Sequence, residues 1–191
     1  MLNHVLSVGG TGMLARATSE LASRARAITV VARRPERWEP PSDGSVTVDA
    51  LAIDLLDADA VEAAVRDSIG RHGAIDEALI WTHPDTSAAL TRLVALIAET
   101  SPSARVVQVF GSMAGRPGAD READRAALLE EAGATGLELH RVILGWQPDG
   151  AGGTRWLTHE EISSGVIAIL DGTASLGVIG QLEPWEQRPG T

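Results

Sequence analysis

Seven residues near the start, Gly9-Gly10-Thr11-Gly12-Met13-Leu14-Ala15, fit Gly-x-x-Gly-x-x-Ala from Gly9 and equally Gly-x-Gly-x-x-Ala from Gly10. In either register the glycines let the backbone turn tightly and approach a pyrophosphate, whose charge rests on the N-terminus of the next helix. A small residue at 15 lets that helix close onto the preceding strand. The place of the motif gives it weight, directly after an apolar β-type run and directly before an Ala-rich one. A purely structural glycine turn is the competing reading. The expected cradle is the backbone of Gly9, Thr11, Gly12, Met13 and Leu14.

The next informative residues end the second β-type run. A site for NAD usually places Asp or Glu there to accept from the ribose hydroxyls. Here Val31-Ala32 are followed by Arg33, Arg34 and, a turn later, Arg37. Guanidinium groups pair bidentately with a 2′-phosphate and stack on adenine, so NADP is favoured over NAD. Arg34 and Arg37 also suit a solvated loop, whereas Arg33 stands first after the strand. Asp54-Leu55 can receive the adenine amino group and ring, although Asp54 also stands where a turn residue is wanted. Trp81-Thr82-His83 closes the fourth β-type run, at the edge where such sheets bind ligands. Trp81 also suits core packing, and His83 beside Pro84 is expected to face the cleft.

The chemistry beyond binding is bounded by what is missing. All 16 basic residues are arginine, and the 191-residue chain has no lysine, tyrosine or cysteine. That excludes Schiff-base and Walker-type lysines, thiol nucleophiles, disulfides, cysteine-ligated zinc and a tyrosine general acid. A GC-rich coding bias accounts for the composition, yet the chemical exclusion holds either way. Ser, Thr, His, Asp, Glu, Arg, Trp or a borrowed cofactor must do the work, and no metal centre is expected. His83, Ser112 and His140 are the candidate catalytic residues: a near-neutral histidine can protonate a developing alkoxide or amine, and a serine can orient a carbonyl. For His140, mid-strand between Leu139 and Val142, a structural role outweighs catalysis.

These residues need elements to hold them. Short β-branched runs alternate with Ala/Leu-rich helical ones, the pattern of β-α units on a parallel sheet. Strands are predicted at 4–8, 28–32, 46–53, 74–82, 105–110, 137–144 and 176–179. Helices are predicted at 12–24, from Asp57 to 69, 84–100, 119–132 and from the Thr158-x-x-Glu161 capping box to 170. Glycine-rich loops are predicted at 111–118 and 145–153. With no internal repeat and no linker, residues 1–191 read as a single NAD(P)-binding α/β domain of Rossmann type. Its doubly wound parallel sheet carries helices on both faces.

The glycine turn, Arg33, Asp54-Leu55 and Phe110-Gly111-Ser112 together resemble, in order and over nearly the whole chain, the short-chain dehydrogenase/reductase superfamily in its small atypical branch. The chain looks closest to a bacterial group carrying Gly-Gly-Thr-Gly-Met-Leu-Ala, Trp-x-His and Arg-Trp-Leu-Thr-x-Glu-Glu-Ile-Ser, here at residues 9–15, 81–83 and 155–163. The resemblance implies a nicotinamide cofactor, a small-molecule substrate and a homodimer or homotetramer. It also exposes a departure. The family places a Tyr-x-x-x-Lys pair on the helix after strand five; this chain has Asp124-Arg125 and Leu128-Leu129 there, and Trp81-Thr82-His83 replaces Asn-Ala-Gly. Ser112 keeps the serine place. Arg155-Trp156 is expected at the pocket mouth, and His159 as an exposed first-turn residue.

The leading expectation is an NADP-dependent oxidoreductase with a non-standard proton path, acting on a small carbonyl or imine. The alternatives are a dinucleotide-binding sensor without turnover and a non-redox enzyme reusing the pocket. A net charge of −10 argues against nucleic acid, and no apolar run nears the roughly 20 residues that cross a bilayer. Without a signal-peptide pattern at the start, a cytoplasmic location is expected.

Overall fold

A stretch buried residue after residue, such as Ile28-Thr29-Val30-Val31, requires a sheet covered on both faces, and the chain arranges itself accordingly. The computed structural model describes residues 1–42, 44–172 and 176–190. In chain order its main elements are β1 (Leu2–Val8), α1 (Ala15–Ser23), β2 (Ala25–Ala32), β3 (Thr47–Ala52), α2 (Ala58–His72), β4 (Glu77–Trp81) and α3 (Ser87–Thr100). Then come β5 (Arg105–Phe110), α4 (Arg121–Glu131), β6 (Glu138–Leu144), β7 (Trp146–Pro148), β8 (Thr154–Trp156), α5 (His159–Leu170) and β9 (Leu176–Ile179).

Seven strands form one sheet in the order β3-β2-β1-β4-β5-β6-β9, with every neighbouring pair parallel. The order runs outward from β1 in both directions, so the direction of winding reverses between β1 and β4. At that switch point the loops beyond the two strand ends diverge and leave a crevice. Alternate side chains go to opposite faces. Val5, Ile28, Val30 and Leu79 pack on the side of α1 and α5. Leu6, Val8, Val31 and Ile80 pack on the side of α2, α3 and α4. The expected doubly wound α/β sheet is what the chain forms.

Local chemistry moves several boundaries. α1 begins at Ala15 rather than 12, because the glycine turn occupies the residues before it. Residues Pro84–Thr86 form a short 3-10 turn, and α3 starts only at Ser87. α4 begins at Arg121 because the Asp120 side chain accepts from Ala123 N at 3.0 Å, capping the first turn. The stretch 145–153, expected to be a loop after β6, holds β7 and the turn that leads into β8, the two strands pairing as an antiparallel hairpin. The hairpin is anchored by fully buried Trp146, which also bridges Gln181.

At the opposite edge of the sheet lies a buried polar chain. His4, fully buried, donates from Nδ1 to the Gly73 carbonyl at 2.9 Å, with Nε2 2.8 Å from Thr29 Oγ1. Thr29 is hydrogen-bonded to Ser68, and Ser68 donates to Asp49 at 3.0 Å. Arg71 and His72 close on the same carboxylate at 2.7 and 2.8 Å. β1, β2, β3 and α2 are thus joined by satisfied polar groups.

Candidate functional site

The glycine turn divides its labour. Gly9 has φ +70°, and a Cβ there would lie 2.5 Å from the Trp81 carbonyl oxygen. A Cβ on Gly10 would collide with Ser7 Oγ and Thr18 Oγ1, which hydrogen-bond each other at 2.8 Å. A Cβ on Gly12 would meet nothing within 4 Å. Gly9 and Gly10 are therefore set by packing, whereas the backbone at Gly12 borders open space. Leu14 occupies the N-cap of α1, no side chain caps that end, and its first turn holds no acidic residue. Its first N–H, that of Ala15, donates to the Gly12 carbonyl at 3.0 Å, and the positive dipole end of the helix favours an anion beyond that turn. The Leu14 side chain is in the core, so only its backbone is available. Ser163 on α5 donates to the Met13 carbonyl at 2.9 Å and fixes the turn from the other side.

A cleft of about 270 Å³ opens from this turn, lined by Gly9, Thr11, Arg33, Arg34, Arg37, Asp54, Leu55, Trp81 and His83. The structure thus gathers these predicted cofactor residues, drawn from four strand ends, on one surface. The three arginines are exposed, and among the described residues none has a carboxylate within ion-pair distance. Asp54 lines the cleft and also accepts from Leu56 N at 3.1 Å, so its turn role and its place in the cleft coexist. Trp81 stands half-buried as a wall, its ring 5.5 Å from His83 and edge-on to it.

Two further spaces continue from this cleft. Trp81 and His83 also border a cavity of about 620 Å³, which Thr82, Ser112, Asp124, Leu128, Arg141 and Arg188 complete. Ser112 in turn borders a third space of about 340 Å³, with Met13, Gly145, Trp156 and His159. His83 and Ser112 therefore open onto one cavity. His140 does not join them. Its place near the start of β6, opposite Val107, keeps it back from the carboxyl edge of the sheet. It lines none of the three spaces, its Nε2 lies 2.6 Å from Glu138 Oε1, and its Nδ1 is buried without a partner.

Sequence reasoning missed Arg188 and Arg141. Arg188 Nε donates to Ser112 Oγ at 2.9 Å. The Arg141 guanidinium lies 4.4 Å from the Phe110 ring centroid and donates to the Arg121 carbonyl at 3.0 Å, with Nε buried and unpartnered. Burial pushes the Arg141 pKa down; nearby Asp124 works against this and Arg125 adds to it. No local pattern marks either arginine, since each matters only through what the fold brings beside it. His159, expected to be merely exposed, borders the third space. Arg155 turns away from the mouth to pair with Glu161, both contacts at 2.8 Å, while Trp156 stays there. That pairing, with the Thr158 N–H, lowers the Glu161 carboxyl to about 2.

No protein-family model matches the chain, and no curated protein matches it in sequence. Solved structures match over nearly its whole length. A metagenomic short-chain oxidoreductase (SDR) in complex with NADP aligns with TM-score 0.60 and 16% identity, covering 94% of this chain and 98% of that one. The fold is that of the short-chain dehydrogenases. An alcohol dehydrogenase from the archaeon Thermococcus sibiricus, complexed with 5-hydroxy-NADP, aligns with TM-score 0.62 and 14% identity over 100% of both chains. NAD+-bound xylitol dehydrogenase gives TM-score 0.60 and 16% identity over 92% of this chain and 96% of that one. On this short-chain dehydrogenase fold, Asp124 and Leu128, which stand where the resemblance puts tyrosine and lysine, face the 620 Å³ cavity.

Proposed function

We propose that this chain is an NADP(H)-dependent oxidoreductase of short-chain type, acting on a small carbonyl or imine compound. The observation that carries the reading is the open Gly12 backbone at a helix start that no side chain caps, together with a cleft on which Arg33, Arg34 and Arg37 have no carboxylate partner among the described residues and which shares Trp81 and His83 with the cavity of Ser112. The turn from Gly9 to Leu14 would hold the pyrophosphate, Arg33 with Arg34 and Arg37 the 2′-phosphate, and Asp54-Leu55 the adenine. The space beside Met13, Gly145 and Trp156 would take the nicotinamide end. Bound there, the reduced cofactor supplies a hydride. The chain's own residues orient the carbonyl through Ser112 and exclude water with Trp81 and Trp156, while His83 stands at the cleft as a proton source.

A second reading, a dinucleotide sensor without turnover, is favoured by one observation: Asp124 and Leu128 offer no hydroxyl or amine at the places of the usual pair. Turnover separates the two. NADPH should raise the melting temperature more than NADH does, and Arg33→Ala should weaken NADPH binding roughly 10- to 100-fold, as loss of a charge-assisted contact implies. Equal stabilisation by both cofactors removes the role given to Arg33. Consumption of NADPH absorbance with aldehydes, ketones, quinones or imines should depend on Ser112 and His83. Binding without consumption across that panel makes the sensor the better reading.

A further inference from the structure

Ser112 is almost fully buried at the end of β5, and the group that reaches it comes from the far end of the chain. Arg188 sits in the closing segment, which is pinned in three ways. Gln181 bridges Trp146, the Trp185 ring packs edge-on against Trp146 at 5.8 Å, and Thr154 Oγ1 donates to the Gln187 carbonyl. The Arg188 guanidinium then lies 4.8 Å from the Trp156 ring centroid and 5.8 Å from that of Trp185. Its Nε donates to Ser112 Oγ at 2.9 Å.

Among the described residues no carboxylate lies within ion-pair distance of Arg188, whereas Arg155, on the hairpin strand β8, is paired bidentately with Glu161. A half-buried cation stacked on aromatic faces and left without a counter-ion attracts a negatively charged oxygen. Ser112 Oγ accepts from Arg188, which leaves its own hydrogen to donate. The pair stands on the 620 Å³ cavity, whose walls include the apolar Leu90, Phe110, Met113 and Leu128, and Ser112 also borders the 340 Å³ space.

We propose that Ser112 and Arg188 form an oxyanion site that receives the carbonyl oxygen of an aldehyde or ketone with an apolar body. In this role Arg188 supplies the charge stabilisation that a tyrosine and lysine would otherwise provide. The inference rests on the reductase reading above. In the step, the carbonyl carbon would gain the hydride pair given up by NADPH, which becomes NADP+, and the C=O π pair would move onto oxygen. That oxygen, held by the Ser112 O–H and an Arg188 N–H, takes its proton from His83, which lines the same cavity and is reprotonated from solvent, so Ser112 keeps its own hydrogen. The guanidinium stays charged throughout, because its pKa is far too high to spend a proton.

Two experiments test the site, the first without cofactor or turnover. Sodium acetate, a resting mimic of a charged oxygen, is titrated against the full chain while tryptophan fluorescence is followed, since Trp156 and Trp185 flank the guanidinium. A saturable change is expected, with half-saturation at least tenfold weaker in Arg188→Met. Near-ultraviolet circular dichroism checks that this variant is folded. The same half-saturation in both proteins, or no saturable change in the unmodified chain, overturns the proposal.

The second experiment follows NADPH-dependent reduction of benzaldehyde and cyclohexanone. Arg188→Ala should lose about 100- to 1,000-fold in kcat, the usual effect of removing one oxyanion donor. NADPH binding should be unchanged, and added guanidinium should restore part of the rate. A variant within threefold of the unmodified protein overturns the catalytic role. If the unmodified protein reduces neither compound nor any other carbonyl, the reductase reading falls, and the acetate titration still decides whether the pair is an oxyanion site.

Discussion

Gly9 and Gly12 lie three residues apart in one motif and answer to different demands. Gly9 adopts a left-handed φ and has a backbone carbonyl where a side chain would go; Gly12 has neither constraint. Gly9→Ala should therefore destabilise the fold by about 1–3 kcal/mol or more, read from urea unfolding. Gly12→Ala should leave the urea midpoint unchanged and weaken NADPH binding, because its methyl would enter the space proposed for the pyrophosphate. A Gly12→Ala protein that is destabilised yet binds NADPH normally would show that this glycine serves packing. The motif was legible in the residues. Which glycine packs and which borders open space was not, because that depends on the Trp81 carbonyl, brought beside Gly9 by the pairing of β1 with β4, and on Thr18, folded back from α1 onto Gly10 and Ser7.

At the scale of elements, the start of α5 shows how far local pattern reaches. The capping box is present as the spacing predicts: Thr158 accepts from Glu161 N at 3.2 Å, and Glu161 accepts from Thr158 N at 2.8 Å. The third participant, Arg155, was expected at the pocket mouth and instead clamps Glu161. Its contribution has a definite pH dependence. The folded carboxyl, at about 2, lies below its ordinary 4.5, so the stabilisation is complete above 4.5 and is lost as pH falls towards 2. Glu161→Gln keeps the capping geometry but removes the charge. Its melting temperature should sit below that of the unmodified protein at neutral pH, with the gap closing as pH falls through that window. A gap independent of pH would mean that the ion pair adds nothing. The β7–β8 hairpin escaped prediction for a related reason: a three-residue strand among glycines has too little periodicity to show, and it is fixed by burial of Trp146.

At the scale of the whole molecule, the two sheet edges do opposite work. The carboxyl edge collects groups left open, while the amino edge is tied by the chain from Gly73 through His4, Thr29 and Ser68 to Asp49. Burial lowers the His4 pKa from 6.5, the His72 ring 5.4 Å away adds to this, and the Gly73 bond, Asp49 and Asp76 oppose it. The native imidazole thus stays neutral at pH values where the unfolded one is protonated. Its contribution is complete above 6.5 and is lost as pH falls below that value towards the lower native pKa. Urea midpoints of the unmodified protein should fall between about pH 7.5 and pH 5, and those of His4→Gln should fall less. Parallel declines would assign the pH dependence elsewhere.

The sequence by itself determined what is local. A glycine turn between strand and helix, arginines after the second strand, a capping box and alternating β and helical runs are each written within a few neighbouring residues, where backbone sterics and spacing act directly. The missing tyrosine and lysine were equally plain. Only the tertiary structure decided which distant groups meet. Strand register kept His140 back from the site, packing on Trp146 carried the closing segment across the hairpin, and Arg188 thereby reached Ser112, 76 residues away in the chain. Contacts of that kind depend on the summed geometry of every element between the partners, and no short stretch of residues encodes that sum.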